Sequence, residues 1–163
     1  MAHETLFTDS LNVVARAGHP VFRRGALRGL RDLTGETWLM PLAGTPSHAA
    51  FERAFRADGV EPPAARLQGN SPAIVRSLLL SSDRLALLSV RQVQHELQQR
   101  ILKVVPVDVR HTERRIGLAT LRDSVPSPGM TVLLCALRDL AGATRGKADY
   151  YCSAALQNAS LFS

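Results

Sequence analysis

The stretch Thr37–Ser89, TWLMPLAGTPSHAAFERAFRADGVEPPAARLQGNSPAIVRSLLLSSDRLALLS, constrains the fold more than any other part of the chain. It reads as strand, helix, strand, helix, strand. Trp38-Leu39-Met40 is a short apolar strand, Ala65-Arg66-Leu67 a second, and Leu85-Ala86-Leu87-Leu88 a third. The last is apolar throughout, as a strand covered on both faces is expected to be. Both helices open with a hydroxyl residue followed by proline. Thr45 and Ser71 suit the N-cap, where a side-chain oxygen accepts an otherwise unpaired backbone N–H. Pro46 and Pro72 suit the first helical position, where a missing N–H costs nothing. Strands alternating with helices predict an α/β layer with a largely parallel sheet, and ligands bind at the edge of such sheets where helices begin.

Composition narrows the class of function. The chain has 163 residues, one domain's worth. No apolar run approaches the roughly 18–20 residues of a membrane span, and Met-Ala-His-Glu-Thr lacks the basic and apolar regions of a secretion signal. A soluble, cytoplasmic protein is the expectation. Its formal net charge is +6 and its pI about 10.3, yet the basic residues are nearly all scattered arginines, with only Lys103 and Lys147 as lysines. No basic stripe with interleaved aromatics forms the footprint of a nucleic-acid binder. Cys135 and Cys152 make no CxxC and stand apart from any histidine cluster, so neither a metal nor a cofactor is expected.

Around the central block the chain reads in order. Leu11–Arg16 is a strand, ended by Gly18-His19-Pro20, where His19 is a turn residue. Ala26–Leu33 is a short helical stretch with Leu27, Leu30 and Leu33 on one side. In the first helix of the block, Phe51, Ala54 and Phe55 share the apolar face, and Gly59 is placed to end it. In the second, Ile74, Val75, Leu78 and Leu79 make that face. Val90–Arg100 is polar and helical, Ile101–Val107 extended, Asp108–Glu113 a polar connection, and Arg115–Leu121 another strand. Ser127-Pro128 opens a last helix with Met130, Leu133, Leu134, Leu137 and Leu140 on one side. From Thr144 to Ser163 no period is sustained.

The segments LFTDSLNVVARAGHP, TWLMPLAGTPSHAAFERAFRADGVEPP, NSPAIVRSLLLSSDRLALLSVRQVQHEL and RRIGLATLRD together resemble the effector-binding domain of LysR-type transcriptional regulators. The GTP helix opening and the run HTERRIGLAT resemble the branch that regulates sugar-uptake and aromatic-acid genes. This resemblance implies a two-lobed α/β fold of the periplasmic-binding-protein type 2 kind, with a small effector held between the lobes. It implies a partial domain over 1–142, with the second lobe at about 18–113, hinge strands near 11–17 and 116–121, and a terminal helix at about 128–141. It implies a homodimer as well, since the apolar face of Met130, Leu133, Leu137 and Leu140 is otherwise left open. DNA binding in the family belongs to an N-terminal helix-turn-helix, which these residues do not contain. Gly69 stands where many relatives place a hydroxyl residue and Ser89 where many have proline. The tail 143–163 departs from the family, as in a piece cut from a longer chain or a shortened or frame-shifted reading frame.

On this resemblance the candidate ligand-binding residues are Gly44, Thr45 and Ser47 at one helix start and Asn70 and Ser71 at the other. Two helix N-termini facing one cleft offer N–H groups and positive dipole ends to a small anionic effector, such as an organic acid or sugar acid. The plainer reading makes Thr45 and Ser71 ordinary caps. Catalysis has one foothold, Gly69-Asn70-Ser71-Pro72-Ala73, close to a G-x-S-x-G nucleophile elbow. The residue after the serine must give an oxyanion-hole N–H, and Pro72 has none. No catalytic residue is therefore expected. His48 reads as a surface histidine and Trp38 as core. A solute-binding or transport-associated domain of the same fold is the alternative function.

Overall fold

The computed structural model describes residues 1–64, 67–121 and 126–142. Its elements in chain order are β1 (Ala2–Asp9), β2 (Leu11–Arg16), β3 (Trp38–Leu39), α1 (Pro46–Ala57), α2 (Pro72–Ser81), β4 (Leu85–Ser89), α3 (Gln94–Gln98), β5 (Leu102–Val104), β6 (Arg114–Thr120) and a last helix, α4, over 128–142. Short 3-10 turns at Pro20–Arg23, Leu30–Leu33 and Val90–Val93 fill the connections. His19 closes the first of these turns, its Nδ1 accepting from the Val21 N–H at 3.0 Å.

Four strands form one sheet in the order β3-β4-β2-β5. Within the central block the pairing is parallel, β3 with β4 and Met40 with Gln68 in an isolated bridge. That bridge stands where the second strand of the block was expected; Ala65 and Arg66 lie outside the described residues. Strands from outside the block reverse the direction: β2 runs antiparallel to both β4 and β5. The sheet is thus mixed, not largely parallel. Apolar runs covered on both faces carry no record of strand direction, so the pattern could not reveal it.

Successive side chains of a strand point to opposite faces, and this sorts the core into two layers. Val13 and Ala15 of β2, Trp38 of β3 with the following Met40, and Leu85 and Leu87 of β4 pack under α1 with Phe51, Ala54 and Phe55. Val14, Leu39 and Ala86 face the other way, with Leu79 of α2, Val93 and Leu102. Trp38 is buried where Phe51 and Phe55 meet it edge-on at 5.5 and 5.2 Å, and its Nε1 donates to the Leu33 carbonyl at 3.0 Å. Gly59, at φ +75°, takes the left-handed conformation that ends α1. In α2 the buried face is Val75, Leu78 and Leu79; Ile74, expected among them, is 60% exposed. Thr45 caps α1, accepting from the His48 N–H at 3.2 Å. Ser71 has the extended backbone of an N-cap, but its hydroxyl makes no capping bond.

The second sheet is a two-stranded antiparallel ribbon of β1 and β6, from Ala2 opposite Thr120 to Asp9 opposite Arg114. The expected hinge pair was 11–17 with 116–121. Leu11–Arg16 is indeed a strand, but it lies inside the four-stranded sheet, and the partner of β6 is the earlier β1. A bulge between Thr5 and Phe7 breaks the ribbon's register. Opposite it, Gly117 lets the strands approach so closely that a Cβ there would stand 2.1 Å from the Glu4 carbonyl oxygen. Arg138 of α4 grips Glu4 through Nε and Nη2 at 2.9 and 2.7 Å. That bond, not solvation, holds the Glu4 carboxyl below its ordinary value of 4.5 and raises the Arg138 guanidinium further. Leu134 and Ala141, about a turn to either side of Arg138, are buried, whereas Met130, Leu133 and Leu140 of the expected apolar face are exposed. No helix among the described residues is long and apolar enough to cross a membrane.

Candidate functional site

Where the start of α1, the segment leading into α2 and the first residue of β6 converge, they enclose a cavity of about 180 Å³. Its floor is apolar, with Leu11, Val75, Leu87 and Val93. Three of the five candidate residues lie on its wall: Thr45 and Ser47 from α1, and Asn70 before α2. Gly44 and Ser71 do not line it. Gly44 sits at φ +79° in the turn before the cap, and Ser71 lies between two lining residues, Asn70 and Pro72.

Thr45 is already committed to the fold. Its hydroxyl donates to the Leu42 carbonyl at 2.7 Å while accepting from the His48 N–H. What the N-terminus of α1 offers a ligand is therefore backbone N–H groups and the positive end of the helix dipole, not a free hydroxyl. Ser47 and Asn70 keep their side-chain groups for hydrogen bonds across the cavity.

The wall also holds Arg76, Gln92 and Arg114, which the sequence did not single out. Each arginine stands beside a buried carboxylate. Arg76 Nε lies 2.7 Å from Glu96 Oε1, and Arg114 reaches Asp9 through Nε and Nη2 at 2.8 and 2.7 Å. The only trace of the second pair in the sequence is the doubled arginine that opens β6; Asp9 and Arg114 are 105 positions apart. Two larger depressions, of about 600 and 810 Å³, open broadly to solvent, and in them Arg31 pairs with Asp58 and Arg110 with Asp108. Of these three the smaller cavity is the one that joins an apolar floor to convergent polar groups, the usual form of a small-molecule site. Among the described residues no group of histidine, cysteine and carboxylate side chains is arranged to hold a metal ion.

Residues 1–142 match the LysR substrate binding domain family. Over 138 residues the chain is 30% identical to the HTH-type transcriptional regulator GalR of Pseudomonas putida, a match that covers 84% of this chain and 34% of that protein. The chain thus spans about a third of that relative's length. Among solved structures it is similar to the CcmR regulatory domain of Synechocystis PCC6803 in complex with 2-PG, with a TM-score of 0.71 and 20% identity over 86% of this chain and 66% of that one. The effector binding domain of QuiR in complex with shikimate gives a TM-score of 0.64 at 17% identity, covering 86% and 63%. The fold is accordingly the periplasmic-binding-protein type 2-like α/β fold expected from the sequence.

Proposed function

Because the chain belongs to the LysR substrate-binding domain family, a ligand-sensing and non-catalytic domain, we propose that it senses a small organic acid or sugar acid in the cavity between α1, α2 and β6. One observation carries this reading: Thr45, Ser47 and Asn70, from two separate helix starts, meet on one wall over an apolar floor. Backbone N–H groups at a helix start favour an anion. The neighbours solved with 2-PG and with shikimate support a small ligand. Relatives named as regulators favour sensing over the transport-associated alternative. In the same reading the protein acts in the cytoplasm and pairs with a second copy of itself. DNA contact falls to a helix-turn-helix domain outside these residues, the β1–β6 ribbon being the hinge between lobes.

The cavity is smaller than the about 300–1,000 Å³ of drug-sized sites, so a compact ligand and a dissociation constant of about 0.1–1 mM are expected. At a hundred times that constant, ligand adds about 2.7 kcal/mol to stability. A panel of shikimate, benzoate, gluconate and glucarate, set against neutral glucose, tests this in a melting assay. At least one acid raises the midpoint by several degrees and glucose does not. Thr45→Val lowers the unliganded stability by about 1 kcal/mol through the lost cap, and Ser71→Ala changes it by less than about 0.5 kcal/mol. Ser47→Ala and Asn70→Ala abolish the ligand-induced rise. If both variants keep the full rise, the ligand binds elsewhere.

A further inference from the structure

The cavity's cationic groups are not free charges, and the way Arg114 is held decides what it can do. Its Nε and Nη2 both reach one oxygen of Asp9, Oδ2, at 2.8 and 2.7 Å. The other carboxylate oxygen, Oδ1, accepts from the Ser89 hydroxyl at 2.7 Å, and Ser89 in turn accepts from the Arg91 N–H at 3.1 Å. Asp9 and Ser89 are both buried. Asp9 is thereby fixed at both oxygens, and it fixes the side edge of the guanidinium.

A guanidinium has a second usable edge, made of one N–H from each terminal nitrogen. Among the described residues no hydrogen bond uses Nη1 of Arg114, and the residue lies on the cavity wall with its side chain 34% exposed. That end edge has the geometry to take a carboxylate in two parallel bonds. Arg76 is less well prepared: its Nη2 already bonds the Gln92 carbonyl at 3.4 Å.

We propose that Arg114 is the specificity-determining residue of the cavity, its outer edge receiving the carboxylate of the effector, and that Asp9 is its positioning residue. The proposal rests on the cavity being the effector site. Asp9 has two opposed effects on a bound acid. It holds the arginine in place, and its own negative charge repels the ligand across the guanidinium. Asparagine in its place keeps the first effect, since its carbonyl accepts from Arg114 and its amide donates to the Ser89 hydroxyl, and it removes the second.

The test compares shikimate with methyl shikimate and gluconate with glucose by calorimetry on the whole chain. Wild type is expected to prefer each acid to its uncharged counterpart. Arg114→Gln lowers acid affinity tenfold or more and brings acid and uncharged counterpart level. Arg115→Gln removes the same charge from the neighbouring exposed residue and leaves acid affinity within twofold. Asp9→Asn raises acid affinity severalfold and leaves the uncharged counterparts unchanged. If Arg114→Gln folds and still prefers acids, or if Asp9→Asn leaves acid affinity unchanged or lower, the proposal is wrong. Should Arg114→Gln fail to fold, Asp9→Asn decides alone. If no acid binds wild type, the cavity reading fails and takes this proposal with it. If acids bind and Asn70→Ala abolishes binding while Arg114→Gln does not, only the assignment of Arg114 fails.

Discussion

In the four-stranded sheet, β2 and β4 leave no residue exposed and bury most of them, whereas in the ribbon the first four residues of β1 are exposed and β6 is half-buried or exposed throughout. The sheet is held by apolar contact on both faces. The ribbon is held by a few polar and mixed contacts: Asp9 with Arg114, Glu4 with Arg138, and the Arg91 guanidinium 4.3 Å from the centre of the Phe7 ring. An isolated two-stranded ribbon is marginal in water. The contrast teaches where motion is inexpensive. Removing the Glu4–Arg138 contact leaves solvated charges, while removing a sheet contact leaves a void.

The largest expected effect breaks the sheet side of this contrast. Phe51→Ala empties the space against Trp38 and Phe55 and costs about 3–5 kcal/mol, read from the midpoint of denaturant unfolding. Loss of less than about 1 kcal/mol would show that the layer under α1 collapses to fill the void. Next, Gly117→Ala forces a methyl against the Glu4 carbonyl and costs about 1–3 kcal/mol, confined to the ribbon. Hydrogen exchange should speed in β1 and β6 and stay slow in β2 and β4. Equal acceleration everywhere would mean that the two regions unfold as one.

The smallest effect is one of acidity. Arg138 holds the folded Glu4 carboxyl below 4.5, so its contribution is complete above that value and is lost as pH falls through the lower folded one. Carbon NMR of the Glu4 carboxyl should show a titration below 4.5 that Arg138→Gln moves back up. An unmoved titration would mean that α4 does not dock through this pair in solution.

The legibility of these regions in the sequence differed for the same reason. Phe51, Ala54 and Phe55 declared their face because they bury at helical spacing, and the prolines at 46 and 72 announced both helix starts. The parallel block was readable because a helix must lie between its strands. Ile74 misled because α2 is apolar on more than the side it buries. The strand β1 went unread as a strand: HETLFTD carries no burial alternation, since little of it is buried. Thr45, Ser47 and Asn70 were visible through helix-start chemistry, but Arg114 was not, because its partner Asp9 lies at the far end of the chain.

The bulge at Thr5 and Phe7 has a further effect on how the ribbon is wired. Positions of odd and even number in a regular strand belong to opposite sides, so Glu4 and Asp9 would point apart. In the ribbon they stand opposite Leu118 and Arg114, residues of equal parity on β6, and so share one side. One extra residue has changed the phase of β1 halfway along. That is how a single surface carries both the clasp for α4 at Glu4 and the carboxylate that aims Arg114. Deleting Leu6 would restore the regular beat and turn one of the two away, uncoupling the last helix from the cavity without touching either.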